Sequence, residues 1–213
     1  MLAIVGGKGG CGKTTTALGL ARALARDGPR PLVVDADCAM PNLHTMAETD
    51  PRPGLGAVAD GVAPDRVCHR SRAYPAVDVL PAGTATGPPD ERVLRRVGSV
   101  PGPVLLDCPG GATESVATPV RAADAALVVS TAERASLQDA VKTARMAREL
   151  GTDPCGAVIT RTHGSVPDVP EATDLRAECP VLGTVPDTEG VLASRTGRAA
   201  YGDLADRLPE RNI

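Results

Sequence analysis

The run Gly6-Gly7-Lys8-Gly9-Gly10-Cys11-Gly12-Lys13-Thr14-Thr15 sets two ammonium groups close together in a glycine-rich segment. They are two of only three lysines in the chain, and nearly every other positive charge is arginine. A lysine ammonium is a compact point charge that fits inside a tight loop, where a planar guanidinium does not. The run contains G-x-x-x-x-G-K-[ST], read from Gly7 to Thr14, with apolar Leu2-Ala3-Ile4-Val5 before it and a helical pattern after it. Strand, curled loop and helix N-terminus in that order make a cradle of backbone N–H groups, aided by the helix dipole, for a polyphosphate. Gly9, Gly10 and Gly12 are expected to take backbone angles closed to side chains and to let phosphate approach. Lys13 then reaches the β- and γ-phosphates, Thr14 ligates Mg²⁺, and Thr15 donates to the α-phosphate. Cys11 stands at a variable position and reads as a small filler.

A phosphate cradle needs carboxylates to hold the Mg²⁺ hydration shell. Val104-Leu105-Leu106-Asp107 is an apolar strand ending in such a group, and Cys108-Pro109-Gly110-Gly111 after it reads as a mobile switch able to sense the γ-phosphate. Val33-Val34-Asp35-Ala36-Asp37 ends a second strand. Asp37 is placed to orient an attacking water or to join the metal's outer shell. Of the pair, Asp35 reads as structural.

These groups must be held by a framework, and the patterning predicts one. Apolar runs alternate with helical patterns, which implies an α/β protein of three layers, a mostly parallel central sheet with helices on both faces. Expected strands are 2–5, 32–35, 77–80, 104–107, 125–130, 156–160 and 181–185. Expected helices are 13–27, 90–97, 134–150 and 199–208. The chain of 213 residues fits one domain spanning 1–213. It has no Phe or Trp, so Val, Leu, Ile and Ala must build the core, and aromatic platforms for single-stranded nucleic acid are lacking. A net charge of −3 gives no basic field for nucleic acid. The six cysteines are scattered without a C-x-x-C metal signature, which suits reduced thiols in the cytoplasm. No stretch has the length of a membrane-spanning helix.

Taken together, Lys8-Gly9-Gly10-Cys11-Gly12-Lys13-Thr14-Thr15, Asp35-Ala36-Asp37 with Asn42-Leu43, and Asp107-Cys108-Pro109-Gly110-Gly111 resemble the deviant P-loop ATPases of the MinD/ParA family. They correspond to its K-G-G-x-G-K-T-T loop, to the D-x-D and N-L of a first switch in the MinD branch, and to a D-x-P-x-G second switch. Val79-Leu80-Pro81-Ala82-Gly83 is similar to a MinD-type strand and its exit. The resemblance implies the P-loop NTPase fold, ATP and Mg²⁺ as cofactors, and a homodimer with ATP sandwiched at its interface. Lys8 would reach the partner's phosphates in trans, Asp37 would orient water, and Asp107, with Thr14 and Asp37, would serve the metal. It also implies slow hydrolysis stimulated by an activating or cargo protein, in positioning of a division site, chromosome, plasmid or surface appendage. Near the base the family often has Asn where this chain reads Ile159-Thr160-Arg161, while Pro186-Asp187 resembles the other base-side loop. Arg161, Pro186 and Asp187 are therefore the base-side candidates.

Tyr201, Leu204, Ala205 and Leu208 share one helical face, but Asp203, Asp206 and Glu210 accompany the arginines. That face reads as packed on its own domain and not as a membrane anchor. Arg66, Arg70 and Arg72, and Arg92, Arg95 and Arg96, read as solvated faces, which leaves DNA binding open but unmarked. Two alternatives stand beside the ATPase. One is an iron–sulfur carrier or reductase on the same fold, with Cys108 facing a dimer partner. The other is a nucleotide-dependent dimer switch with negligible turnover.

Overall fold

Successive side chains leave opposite faces of a strand. Ala3 and Val5 accordingly join one apolar cluster, and Leu2 and Ile4 join another. In the computed structural model, which describes residues 1–26, 28–85, 87–111 and 114–209, these residues form β1 (Leu2–Val5), wholly buried inside an eight-stranded sheet. The other strands are β2 (Leu32–Asp35), β3 (His69–Arg70), β4 (Asp78–Leu80), β5 (Val104–Asp107), β6 (Ala125–Thr131), β7 (Asp153–Thr162) and β8 (Val181–Pro186). The order is β3-β4-β2-β5-β1-β6-β7-β8. All pairings are parallel except that of β3 with β4.

Eight α-helices connect the described strands. They are α1 (Lys13–Leu24), α2 (Leu43–Met46), α3 (Leu55–Ala59), α4 (Glu91–Gly98), α5 (Glu114–Ala122), α6 (Arg134–Glu149), α7 (Pro170–Glu178) and α8 (Arg195–Arg207). α1 and α8 cover the face lined by Leu2 and Ile4, through Leu18, Leu20, Tyr201 and Leu204. α4, α5, α6 and α7 cover the other, through Leu94, Val120, Leu137 and Leu175. The expected three-layer α/β architecture is therefore the observed one.

Differences lie at ends and in short pieces. Strands 2–5, 32–35 and 104–107 match as expected, whereas β7 is longer at both ends than 156–160. β4 starts at Asp78 instead of Val77, and β6 and β8 each run one residue further than expected. α1 stops at Leu24, and its expected end at Asp27 lies outside the described residues. α8 begins at Arg195, four residues earlier than expected, where the Ser194 hydroxyl caps the helix by accepting from the Gly197 N–H. α2, α3 and β3 span too few residues to show a period. α5 carries Pro119 inside it, a residue that reads as a breaker, and α7 has little amphipathic patterning.

Tyr201, Leu204 and Leu208 are buried and Ala205 is half-buried, so the apolar face of α8 is spent on its own sheet, as expected. The Tyr201 ring fills the volume over Gly19 that any side chain there would need. Glu210 lies outside the described residues. Among those residues no helix is long and apolar enough to cross a membrane.

β1 stands between β5 and β6, while the chain leaves β1 for β2 on one side and later reaches β6 on the other. A crevice opens at such a switch point, beyond the carboxyl ends of the strands. The loop 6–12 leaves β1 there, Asp107 ends β5 there, and Ala132-Glu133 leave β6 there.

Candidate functional site

The loop between β1 and α1 is shaped by its glycines in two distinct ways. Gly10 (φ 77°) and Gly12 (φ 97°) occupy the left-handed region that disfavours side chains. Gly9 does not, and open space surrounds the position of its missing Cβ, so the expected angular requirement fails at that residue. Gly6 and Gly7 are glycine for packing instead. A Cβ on Gly6 would lie 2.7 Å from Cys11 Sγ and from the Val129 carbonyl, and one on Gly7 would collide with Asp139 of α6. Cys11 is itself buried in the apolar cluster under α1, the filler role expected of it.

A cavity of about 840 Å³ opens above this loop, and Lys13, Thr14, Asp37, Asp107 and Arg161 line it. Lys13 is only 8% exposed, and its ammonium donates to the Lys8 carbonyl at 3.3 Å. The Thr14 hydroxyl donates to Asn42 Oδ1 at 3.2 Å. Gly110, after β5, lies flat on the loop, since a Cβ there would meet Gly9 N at 3.0 Å, and Gly111 N–H donates to the Gly6 carbonyl at 3.1 Å.

Two carboxylates end adjacent strands in register, Asp35 on β2 and Asp107 on β5. Asp107 is 2% exposed, and burial pushes its carboxyl up to about 6, against the pull of Thr14 and Lys13. Its Oδ1 is buried and has no hydrogen-bond partner. Asp35 is raised to about 7 by burial and then by the Asp107 charge. Both Asp35 oxygens are used at home, accepting from the N–H groups of Asp37 and Leu43 at 3.2 Å each. That is a structural role, holding the segment 37–43 to its strand. Asp37 borders the cavity and accepts from Met40 N–H through one oxygen at 3.0 Å.

Among the described residues no three His, Cys, Asp or Glu side chains converge to hold a metal ion. Mg²⁺ suits such a place only with phosphate oxygens and water completing its shell, which is its habit. The orphaned Asp107 oxygen and the Thr14 hydroxyl in one cavity fit that group.

The base-side candidates gather in a second cavity of about 350 Å³, lined by Thr15, Arg161, Pro186, Asp187, Val191 and others. Arg161 borders both cavities and holds a left-handed φ of 53°, unusual for a side chain that is not glycine. Asp187 N–H donates to the Thr162 carbonyl, which ties the loop after β8 to β7. Thr160 also lines this cavity, but its buried hydroxyl is turned to the Cys11 and Ser130 carbonyls at 2.7 and 3.1 Å.

Lys8 does not line the cavity above the loop. Its ammonium pairs with Glu133 Oε2 at 2.7 Å, at the exit of β6. Lys8 and, secondarily, Arg161 hold the Glu133 carboxyl below its usual range. Glu133 and Asp139 have no motif of their own, and the sequence marks Thr160 only by its place where the family often has Asn. The signal that would find them is sheet order, because β6 and β7 bring their exits beside the loop.

Cys108 points into the core at 1% exposure, and Cys179 is buried too. The alternative that turned Cys108 toward a dimer partner does not match this placement: Cys108 is held inside, donating to the Leu106 carbonyl. Arg96 is exposed, as the solvated reading has it, and its guanidinium also donates to the carbonyls of Val58, Gly61 and Val62. Arg95 pairs with Glu91 on the surface of α4.

Residues 2–198 match the CobQ/CobB/MinD/ParA nucleotide binding domain. An uncharacterised ATP-binding protein of Methanocaldococcus jannaschii is 32% identical over 94% of this chain and 78% of its own length. The septum site-determining protein MinD of Bacillus subtilis is 28% identical over 100% of this chain and 86% of its own. Among solved structures, the cell division ATPase MinD of Pyrococcus furiosus superposes with a TM-score of 0.81 at 27% identity, covering 97% of this chain and 96% of that one.

Proposed function

Since the chain belongs to the CobQ/CobB/MinD/ParA nucleotide-binding domain family, we propose that it is a Mg²⁺-dependent ATPase whose two subunits close around ATP, a switch for positioning or partitioning within the cell. The observation that carries this reading is a single cavity holding a nearly buried lysine, a threonine hydroxyl and an unpartnered carboxylate oxygen above a left-handed glycine turn. Lys13 and the loop N–H groups bind the phosphates, and Thr14 with Asp107 faces the metal. Bound Mg²⁺ neutralises charge that accumulates on the phosphate oxygens. The second oxygen of Asp37 is free of the Met40 contact and holds the attacking water. Arg161, Pro186 and Asp187 enclose the base.

Lys8 serves the partner subunit's phosphates once it leaves Glu133, which makes nucleotide the condition for a homodimer. The free cysteines suit the reducing cytoplasm. An activating or cargo protein recognises the closed pair. The iron–sulfur alternative loses its support with Cys108 in the core. Titration calorimetry with Mg·ADP tests the reading: Lys13→Ala abolishes binding, and unchanged affinity in that variant refutes it. A phosphate-release assay with Mg·ATP then separates an ATPase from a switch without turnover.

A further inference from the structure

Thr160 stands on β7 where the base side would be read, yet its polar atom faces the other way. The residue is 4% exposed. Its Oγ1 lies 2.7 Å from the Cys11 carbonyl and 3.1 Å from the Ser130 carbonyl, and a hydroxyl has one hydrogen to share between them. Its methyl sits 3.5 Å from where a Cβ on Gly12 would be. The contact thus falls on the peptide joining Cys11 to Gly12, at the turn where Gly12 takes its left-handed angle and α1 begins.

A trans peptide is planar, so its N–H points opposite to its C=O. With the Cys11 carbonyl drawn toward β7, the Gly12 N–H is turned away from β7. If that carbonyl were released, the peptide could rotate and present oxygen to an anion in place of N–H, at a turn whose glycine offers little steric resistance. The same hydroxyl holds β6 through Ser130, so the loop is fixed to two strands at once.

We propose that Thr160 is a positioning residue for the phosphate loop, which keeps the Gly12 N–H aimed at phosphate, and that it takes no part in reading the base. The inference rests on the nucleotide-binding reading above. Base selectivity then falls to the loop Pro186-Asp187-Thr188 and to Arg161, which line the same cavity.

Titration calorimetry with three probes in Mg²⁺ buffer, namely ADP, GDP and inorganic pyrophosphate, separates the roles. Thr160→Val keeps the shape and removes the hydroxyl. It weakens all three probes by the same factor, on the order of tenfold, the equivalent of one hydrogen bond no longer holding the peptide against rotation. Thr160→Ser restores all three affinities. Thr160→Cys, nearly isosteric and a weak donor, gives an intermediate loss common to all three, and takes the place of the valine variant if that one melts below the assay temperature. A loss confined to ADP, with pyrophosphate unaffected, would overturn the proposal in favour of a base contact. Unchanged affinity for every probe would overturn it as well. Wild-type protein that bound none of the three would instead bring down the nucleotide reading, and this inference with it.

Discussion

Replacing Asp107 by Asn separates what the site costs the fold from what it offers a ligand. The Asp107 carboxyl is moved by burial from its ordinary 3.8 to about 6. A shift of about two units, at about 1.4 kcal/mol each, makes the buried charge cost roughly 3 kcal/mol at neutral pH relative to the unfolded chain. The sign follows from proton binding. Between about pH 4 and pH 6 the folded protein holds a proton that the unfolded chain has lost, so stability falls as pH rises through that window and stays low above it. Asp35, in register beside it and raised to about 7, is relieved as well when the Asp107 charge is removed. Without nucleotide and with a chelator at about pH 8, Asp107→Asn therefore melts higher than wild type. For a chain of this size roughly 3 kcal/mol corresponds to about 6–12 °C. The gap closes toward about pH 4, where the wild-type carboxyl is protonated. On the proposed role of Asp107 at the metal, Mg·ADP reverses the order, because the variant lacks that carboxylate and gains less from ligand. Calorimetric or circular-dichroism melts over that pH range read all of this. A variant no more stable than wild type at high pH, or an advantage independent of pH, refutes the argument.

Two further outcomes are expected. Gly7→Ala forces its Cβ against Asp139 of α6, and overpacking of this kind lowers stability by about 1–3 kcal/mol. A urea titration reads it, and Gly9→Ala, with open space around it, serves as the comparison that leaves the midpoint nearly unchanged. Glu133→Gln releases Lys8 from the pair seen in the single subunit, so the proposed ATP-dependent dimerisation strengthens. Both subunits are released together, so the gain per subunit enters squared, and light scattering against protein concentration shows the transition at lower concentration. An unmoved or higher midpoint rejects Glu133 as a restraint on Lys8.

The legible part of this protein was the part whose physics is local. β1, β2 and β5 could be bounded from their apolar runs because a buried parallel strand has little other way to be written. The left-handed turns at Gly10 and Gly12 follow from a spacing that lies wholly within ten residues. Local signals failed at the two-residue β3 and the one-turn helix α2, and where Pro119 sits inside α5. The angular reading of Gly9 failed for a related reason: one motif groups glycines that are required by angle with others, such as Gly6 and Gly7, that are required by packing.

From sequence alone came the phosphate loop, its two lysines and the strand-end carboxylates, since each is set by backbone angles and neighbours along the chain. Only the tertiary structure decided where Lys8 points, what Thr160 holds and why Gly7 has no side chain. Lys8 meets Glu133 across 125 residues and Thr160 meets Cys11 across 149. Contacts at that separation exist because β1 lies beside β6 and β6 beside β7. The order of strands in a sheet is fixed by burying both its faces at once, a collective outcome that no short stretch of residues carries.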